Sequence, residues 1–184
     1  YATLGQNNTL IILAEPTAEA IRQAFLGHRS RISIAQPQIP ALSVANVDVT
    51  GSTIIQDMTL PLSPEFNSAI GGRGSGKSSV LEYISFGLGR SCFDLKRDHY
   101  SGTERLSELV NDTFVSKGGR VTLDILQDNA VFKVERGQAS AYQPKVTYPN
   151  GDTQTVTVKE LRALFPTVVY SQGELAEIGK QAGK

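Results

Sequence analysis

Gly71, Gly72, Arg73, Gly74, Ser75, Gly76, Lys77 and Ser78 satisfy the pattern G-x-x-x-x-G-K-[ST] in full. Four glycines let a backbone curl through positive φ angles, so that successive N–H groups point inward at phosphate oxygens. A lysine at the end of such a loop reaches the β- and γ-phosphates as a flexible point charge, and the hydroxyl after it can serve as a magnesium ligand. A flexible linker would need neither that lysine nor the apolar flanks. The chemistry expected here is binding of a nucleoside triphosphate with Mg²⁺.

Such a loop works when a strand enters it and a helix leaves it, because the helix N-terminus adds its partial positive charge. "FNSAI" (66–70) is the expected lead-in. Val80, Leu81, Ile84 and Leu88 recur at steps of three and four, which predicts an amphipathic helix opened by Lys77 and ended at Gly87 or Gly89. Upstream, "ALSVANVDV" alternates as a strand and "STIIQDMTLPL" reads as a second one after Gly51. Downstream, "RLSELVNDTF" reads as a short helix. "GRVTLDILQD", "AVFKVERG" and "KVTYP" alternate as antiparallel strands joined by turns at "QDNA" and "PNGD". "VKELRALF" is helical, "TVVYSQ" a strand, and "GELAEIGKQ" opens a last helix. Residues 90–104 mix both charge signs without clear period, which predicts an exposed insertion. The first forty residues form a separate pattern: a short strand at "TLIILA", a helix at "TAEAIRQAFLG", a short strand in "SRISIAQPQIP", and a boundary near 35–40.

With 184 residues the chain can bury a core of its own, and 18 basic against 18 acidic residues give no net field toward nucleic acid or an anionic membrane. Arg90, Lys96, Arg97 and Arg105 are the basic residues that a nucleic acid or a partner would meet. Asp94, Asp98 and Glu104 interrupt them, and a mixed solvated face is the competing reading. Arg73 stands in the loop either as a solvated charge or as a guanidinium near the γ-phosphate. Cys92, the one cysteine, reads as a small buried hydrophobe in a reducing compartment. His28 and His99 are isolated, so no metal-ligand cluster is expected. No apolar run is long enough to span a bilayer, and the expectation is a soluble, cytoplasmic chain without membrane contact. The start at Tyr1 and the stop after "GKQAGK" suggest a piece of a longer polypeptide.

The run "FNSAIGGRGSGKSSVLEYISFGLG" resembles the first nucleotide-binding segment of the SMC, RecF and RecN group of ABC-type ATPases. "VVYSQGELAEI" is similar to that group's Q-loop, and the strands of 119–148 to the small antiparallel lobe of its heads. The resemblance covers about residues 41–180. It implies an α/β fold, a P-loop NTPase of the ABC/SMC-like type, with 41–184 as the head's N-terminal lobe and an antiparallel β subdomain. It also implies ATP with Mg²⁺, bound by Gly71 to Ser79, with Lys77 and Gln172 catalytic and Ser78 and Gln172 on the metal. "LAEPTAEAIRQAFLGHRSRISI" resembles the tail that joins a PHP-type phosphoesterase domain to the ATPase in TrlF-type proteins, which makes 1–40 a tail or linker.

Hydrolysis in that class also needs an acidic residue on magnesium, a glutamate that polarises water and a signature loop from an opposing head. Neither "TLIILAE" nor "VTLD" reads as the acidic strand, and no Leu-Ser-Gly-Gly-like signature is present. The resemblance therefore implies completion by a C-terminal lobe of the same ATPase and engagement with a second head. DNA would be the substrate of the cycle, in repair, processing or defence against phage. Two other classes compete. A small-molecule or nucleoside kinase shares the strand, loop and helix, but the antiparallel stretch and "SQGE" fit it poorly. A non-catalytic interaction module would not need Lys77 and Ser78.

Overall fold

Apolar and polar residues alternate along Leu42–Thr50 (β3) and Arg120–Gln127 (β5), and that alternation makes a sheet with one buried face. In β5, Val121, Leu123 and Ile125 are buried. In β3, Val47 and Val49 are buried, while Leu42 and Val44, of opposite parity, also pack on the core. A bulge between Val44 and Asn46 reconciles the two sets by shifting the register by one residue.

The structure is a computed structural model and describes residues 9–35, 40–95, 101–171, 173, 174, 177 and 179. It divides into two units, Tyr1–Ile39 and Pro40–Lys184. In the first, Leu10–Ile11 (β1) pairs antiparallel with Ile32–Ser33 (β2). Between them lie Ala18–Leu26 (α1), capped by the Thr17 hydroxyl accepting from the Ala20 N–H, and His28–Arg31 (α2). Ala24 is the one buried residue of α1, while Phe25 and Leu26 face solvent.

The second unit is mixed α/β. Its six-stranded antiparallel sheet runs β4–β3–β5–β6–β7–β8, where β4 is Met58–Pro61, β6 Ala130–Arg136, β7 Lys145–Thr147 and β8 Thr153–Thr155. The β5–β6 turn places Asp128 and Asn129 at φ of 49° and 64°, as a tight two-residue hairpin demands. The helices are Lys77–Gly87 (α3), Thr103–Thr113 (α4) and Val158–Leu164 (α5). Each sends side chains into the sheet's core: Tyr83 and Phe86 from α3, Val110 from α4, Leu161 from α5. Tyr83 stacks on Phe114 at 4.4 Å between ring centroids. Gly87 lets α3 meet β5 closely, since a Cβ there would sit 2.7 Å from Leu123 Cδ1.

Four expectations are corrected. Of the apolar positions expected along α3, Leu88 is buried and Ile84 packs on the core, but Leu81 is exposed and the buried face includes Ser79, Glu82, Tyr83 and Phe86. The period is the expected one, but the two large aromatic rings choose the face. Residues 52–57 form a loop, and the second strand begins only at Met58. Neither 66–70 nor 167–171 is a strand, because an extended segment needs a neighbour for its N–H and C=O groups and none pairs with either among the described residues. Phe66 and Ile70 are about nine-tenths exposed as a result, at 89% and 92%. Finally, residues 91–94 are not an exposed insertion. Ser91 and Cys92 are buried, and the Asp94 carboxylate forms a bidentate ion pair with Arg136, at 2.8 and 2.9 Å.

Candidate functional site

The glycine loop runs directly into α3. Gly76 is the residue before the helix and has φ 81° and ψ 1°, a left-handed conformation that a side chain disfavours. The space confirms the requirement, because a Cβ on Gly76 would lie 2.6 Å from Ile55 Cγ2. Gly74 shares the left-handed conformation, at φ 82°. These two turns direct the chain around a hollow whose floor is the first turn of α3. No acceptor lies opposite the backbone N–H groups of Gly74, Gly76 and Lys77 among the described residues. They are three of the donors that a helix N-terminus leaves for an anion.

Lys77 folds back over this hollow. Its ammonium donates to the Gly71 carbonyl at 2.6 Å, the Gly72 carbonyl at 2.7 Å and Ser75 Oγ at 3.0 Å. An ammonium has three protons, so all are used. The two carbonyls tether the charge to the mouth of the loop, and the longest bond, to the Ser75 hydroxyl, is the one that an incoming phosphate oxygen can replace most easily. The charge is thereby placed before any ligand arrives, and less side-chain entropy is lost on binding. Ser78 faces solvent at the start of the helix, whereas Ser79 is 7% exposed and turned into the fold. Gly71, Gly72, Arg73 and Ser75 line the exposed rim. Gln172 lies outside the described residues, as do Lys96, Arg97 and His99.

Beside the loop lies an open cleft of about 600 Å³, bordered by Ile54–Met58, Leu60, Ala69, Ile70, Gly74, Ser75, Lys77 and Val80. Its volume falls in the range of small-ligand sites. Its lining joins the loop residues Gly74, Ser75 and Lys77 to apolar side chains, among them Ile54, Ile55, Met58 and Leu60. The sequence reading missed this wall because it took 52–57 for strand. Side chains hold the loop instead: the Gly51 N–H donates to Asp57 Oδ1 at 2.8 Å, and Ser52 Oγ accepts from the N–H groups of Ile54 and Ile55.

Of the basic residues singled out, Arg90 donates to the Arg162 carbonyl at 3.3 Å and is half-buried, while Arg105 is exposed on α4. They form no continuous basic patch among the described residues. Asp124, in the strand that does not read as an acidic metal-binding segment, faces Lys133 across the β5–β6 ladder at 3.7 Å. No cluster of three His, Cys, Asp or Glu residues suited to a metal ion occurs among the described residues, and no helix among them is long and apolar enough to cross a membrane.

No protein-family model matches the chain. Over 68 residues it is 41% identical to the chromosome partition protein Smc of Synechococcus sp.; the match takes in 37% of this chain and 5% of that protein. The chain thus corresponds to a small fraction of that relative's length. The match supports a distant SMC-like relationship.

Proposed function

We propose that this chain carries the nucleotide-binding part of an SMC-like ATPase, with the triphosphate of ATP in the hollow formed by Gly71–Ser78. The observation that carries the reading is the Lys77 ammonium, tethered to two loop carbonyls beside a helix N-terminus whose first N–H groups have no backbone acceptor. The residues fit the group: Lys77 neutralises the β- and γ-phosphates, the amides of Gly74, Gly76 and Lys77 bind their oxygens, and Ser78 offers its hydroxyl to Mg²⁺. When bound, Mg²⁺ supplies charge neutralisation at the phosphates. Ser79 supports the loop from within the fold. Arg73, on the rim, is free to approach the γ-phosphate or a neighbouring molecule. Gln172 is assigned to the metal and the attacking water through the resemblance alone.

The same reading makes segments 66–70 and 167–171, which expose Phe66, Ile70, Val168 and Tyr170, the strands that await partners. A C-terminal lobe of the same ATPase would pair with them and bring the acidic strand and signature loop that the chain lacks. ATP would then be held between two heads, so that nucleotide state becomes a switch between engaged and separated heads. DNA is the proposed substrate of the cycle, and a PHP-type nuclease domain joined through the tail 1–40 the proposed neighbour. The test is ATP turnover by this chain alone and mixed with the complementing lobe, with Lys77→Ala as control. Turnover confined to the mixture and abolished by the substitution supports the reading. Full turnover by the chain alone, or phosphate transfer to a small acceptor, overturns it.

A further inference from the structure

The Tyr83 hydroxyl is fully buried and lies between Ser52 Oγ at 2.9 Å and Thr113 Oγ1 at 2.8 Å. The direction of this chain of hydroxyls can be worked out. Thr113 Oγ1 donates to the Leu109 carbonyl, which can only accept. Its proton is therefore committed, and Thr113 must accept from Tyr83. Tyr83 in turn accepts from Ser52, whose oxygen is left to take the N–H groups of Ile54 and Ile55. One proton order runs from the cleft wall through α3 to α4. The Thr53 N–H and hydroxyl add a second attachment, both donating to the Thr113 carbonyl, at 3.0 and 3.3 Å.

We propose that Tyr83 is a positioning residue that fixes loop 52–57, so that Ile54 and Ile55 form the apolar wall on which the nucleoside end of the bound nucleotide rests. The inference rests on the nucleotide-binding reading above. Ile55 Cγ2 lies 2.6 Å from where a Cβ on Gly76 would sit, so a wall displaced outward opens the cleft beside the glycine loop. Tyr83 also belongs to the helix that begins with Lys77, less than two turns on. The relay therefore locks the wall to the same helix that carries the phosphate site. The phosphate site and the apolar wall are nevertheless formed by different residues of the lining and can be impaired separately.

Tyr83→Phe keeps the ring stacked on Phe114 and removes the hydroxyl, leaving the Ser52 proton and the Thr113 lone pair without partners. The experiment measures binding of Mg-ATP and of Mg-tripolyphosphate, which lacks a nucleoside, to the full-length protein and to Tyr83→Phe, Ser52→Ala and Ser52→Thr. The expected result is loss of up to about tenfold in ATP affinity for Tyr83→Phe and Ser52→Ala, as for one buried hydrogen bond lost. Tripolyphosphate affinity should be unchanged, and Ser52→Thr, which restores a hydroxyl, should recover ATP binding. Ser52→Ala lies at the half-buried rim and keeps the test decisive should Tyr83→Phe fail to fold. Equal losses for both ligands, or no loss for either, would overturn the proposal while leaving the phosphate site intact. If the unaltered protein binds neither ligand, the nucleotide-binding reading fails and this inference falls with it.

Discussion

Asp94 and Arg136 are joined by two parallel hydrogen bonds, at 2.8 and 2.9 Å, with side chains 5% and 2% exposed. The guanidinium also lies 3.8 Å over the Phe86 ring, donates to the Phe86 carbonyl at the end of α3, and donates through Nε to the Tyr142 carbonyl. The far end of the helix that begins at the phosphate site is thereby fastened to β6. Removing one partner strands a buried charge, which costs about 3–5 kcal/mol. Asp94→Ala should lower the denaturant midpoint accordingly. Replacing both residues with apolar ones, Asp94→Leu with Arg136→Met, should recover most of the loss.

The loop glycines should divide by geometry. Gly76→Ala places a Cβ 2.6 Å from Ile55 Cγ2 in a left-handed residue, whereas nothing lies within 4 Å of a Cβ on Gly72. The left-handed conformation alone costs an alanine about 1–2 kcal/mol. Thermal unfolding should therefore show Gly76→Ala destabilised and Gly72→Ala close to the unaltered protein. Nucleotide binding should fall sharply for Gly76→Ala because Ile55 and the first turn of α3 must separate.

Gly87 makes a further prediction about the interface behind the site. A methyl group there meets Leu123 Cδ1 at 2.7 Å and Leu123 Cγ at 3.1 Å. Overpacking of this kind costs about 1–3 kcal/mol. Gly87→Ala should be destabilised in chemical denaturation, and Gly87→Ala with Leu123→Val should recover part of the loss.

The sequence displayed the parts of the fold whose period is local. The antiparallel strands β5 and β6, the helix opened by Lys77 and the glycine turns follow from alternation, three- and four-residue spacing, and glycine chemistry. What it hid depends on contacts distant in sequence. The side of α3 that faces inward is decided by Tyr83 and Phe86 meeting Phe114, a residue far along the chain. Asp94 looked like part of a solvated face because its partner Arg136 is 42 residues away. Loop 52–57 looked like strand because its apolar pair, Ile54 and Ile55, carries no sign that side-chain caps hold it. Segment 66–70 has strand composition, and composition cannot supply a pairing neighbour.

The helix that precedes 166–171 carries a pH-sensitive cap. Thr157 donates its N–H to the Glu160 carboxylate at 2.7 Å and its hydroxyl to the same oxygen at 2.8 Å, and the Glu160 N–H donates back to Thr157 Oγ1. The backbone bond from Thr157, and then its hydroxyl, hold the Glu160 pKa below the ordinary carboxylate value. A lowered folded pKa means that the cap contributes fully above the unfolded value and is lost as pH falls through the folded one. A carbon-detected titration of Glu160 should give a midpoint below that of an unpaired glutamate, and Thr157→Ala should raise it.

The measurement that bears most directly on the central claim is a titration of the protein with Mg-ATP followed by the amide signals of its backbone, repeated with Lys77→Ala. If the glycine loop is a triphosphate site, the largest changes fall on Gly74, Gly76, Lys77 and Ser78, with smaller ones at Ile54 and Ile55, and all collapse in Lys77→Ala. Changes centred elsewhere, or a pattern that survives the loss of Lys77, would contradict the assignment of this loop as the nucleotide site.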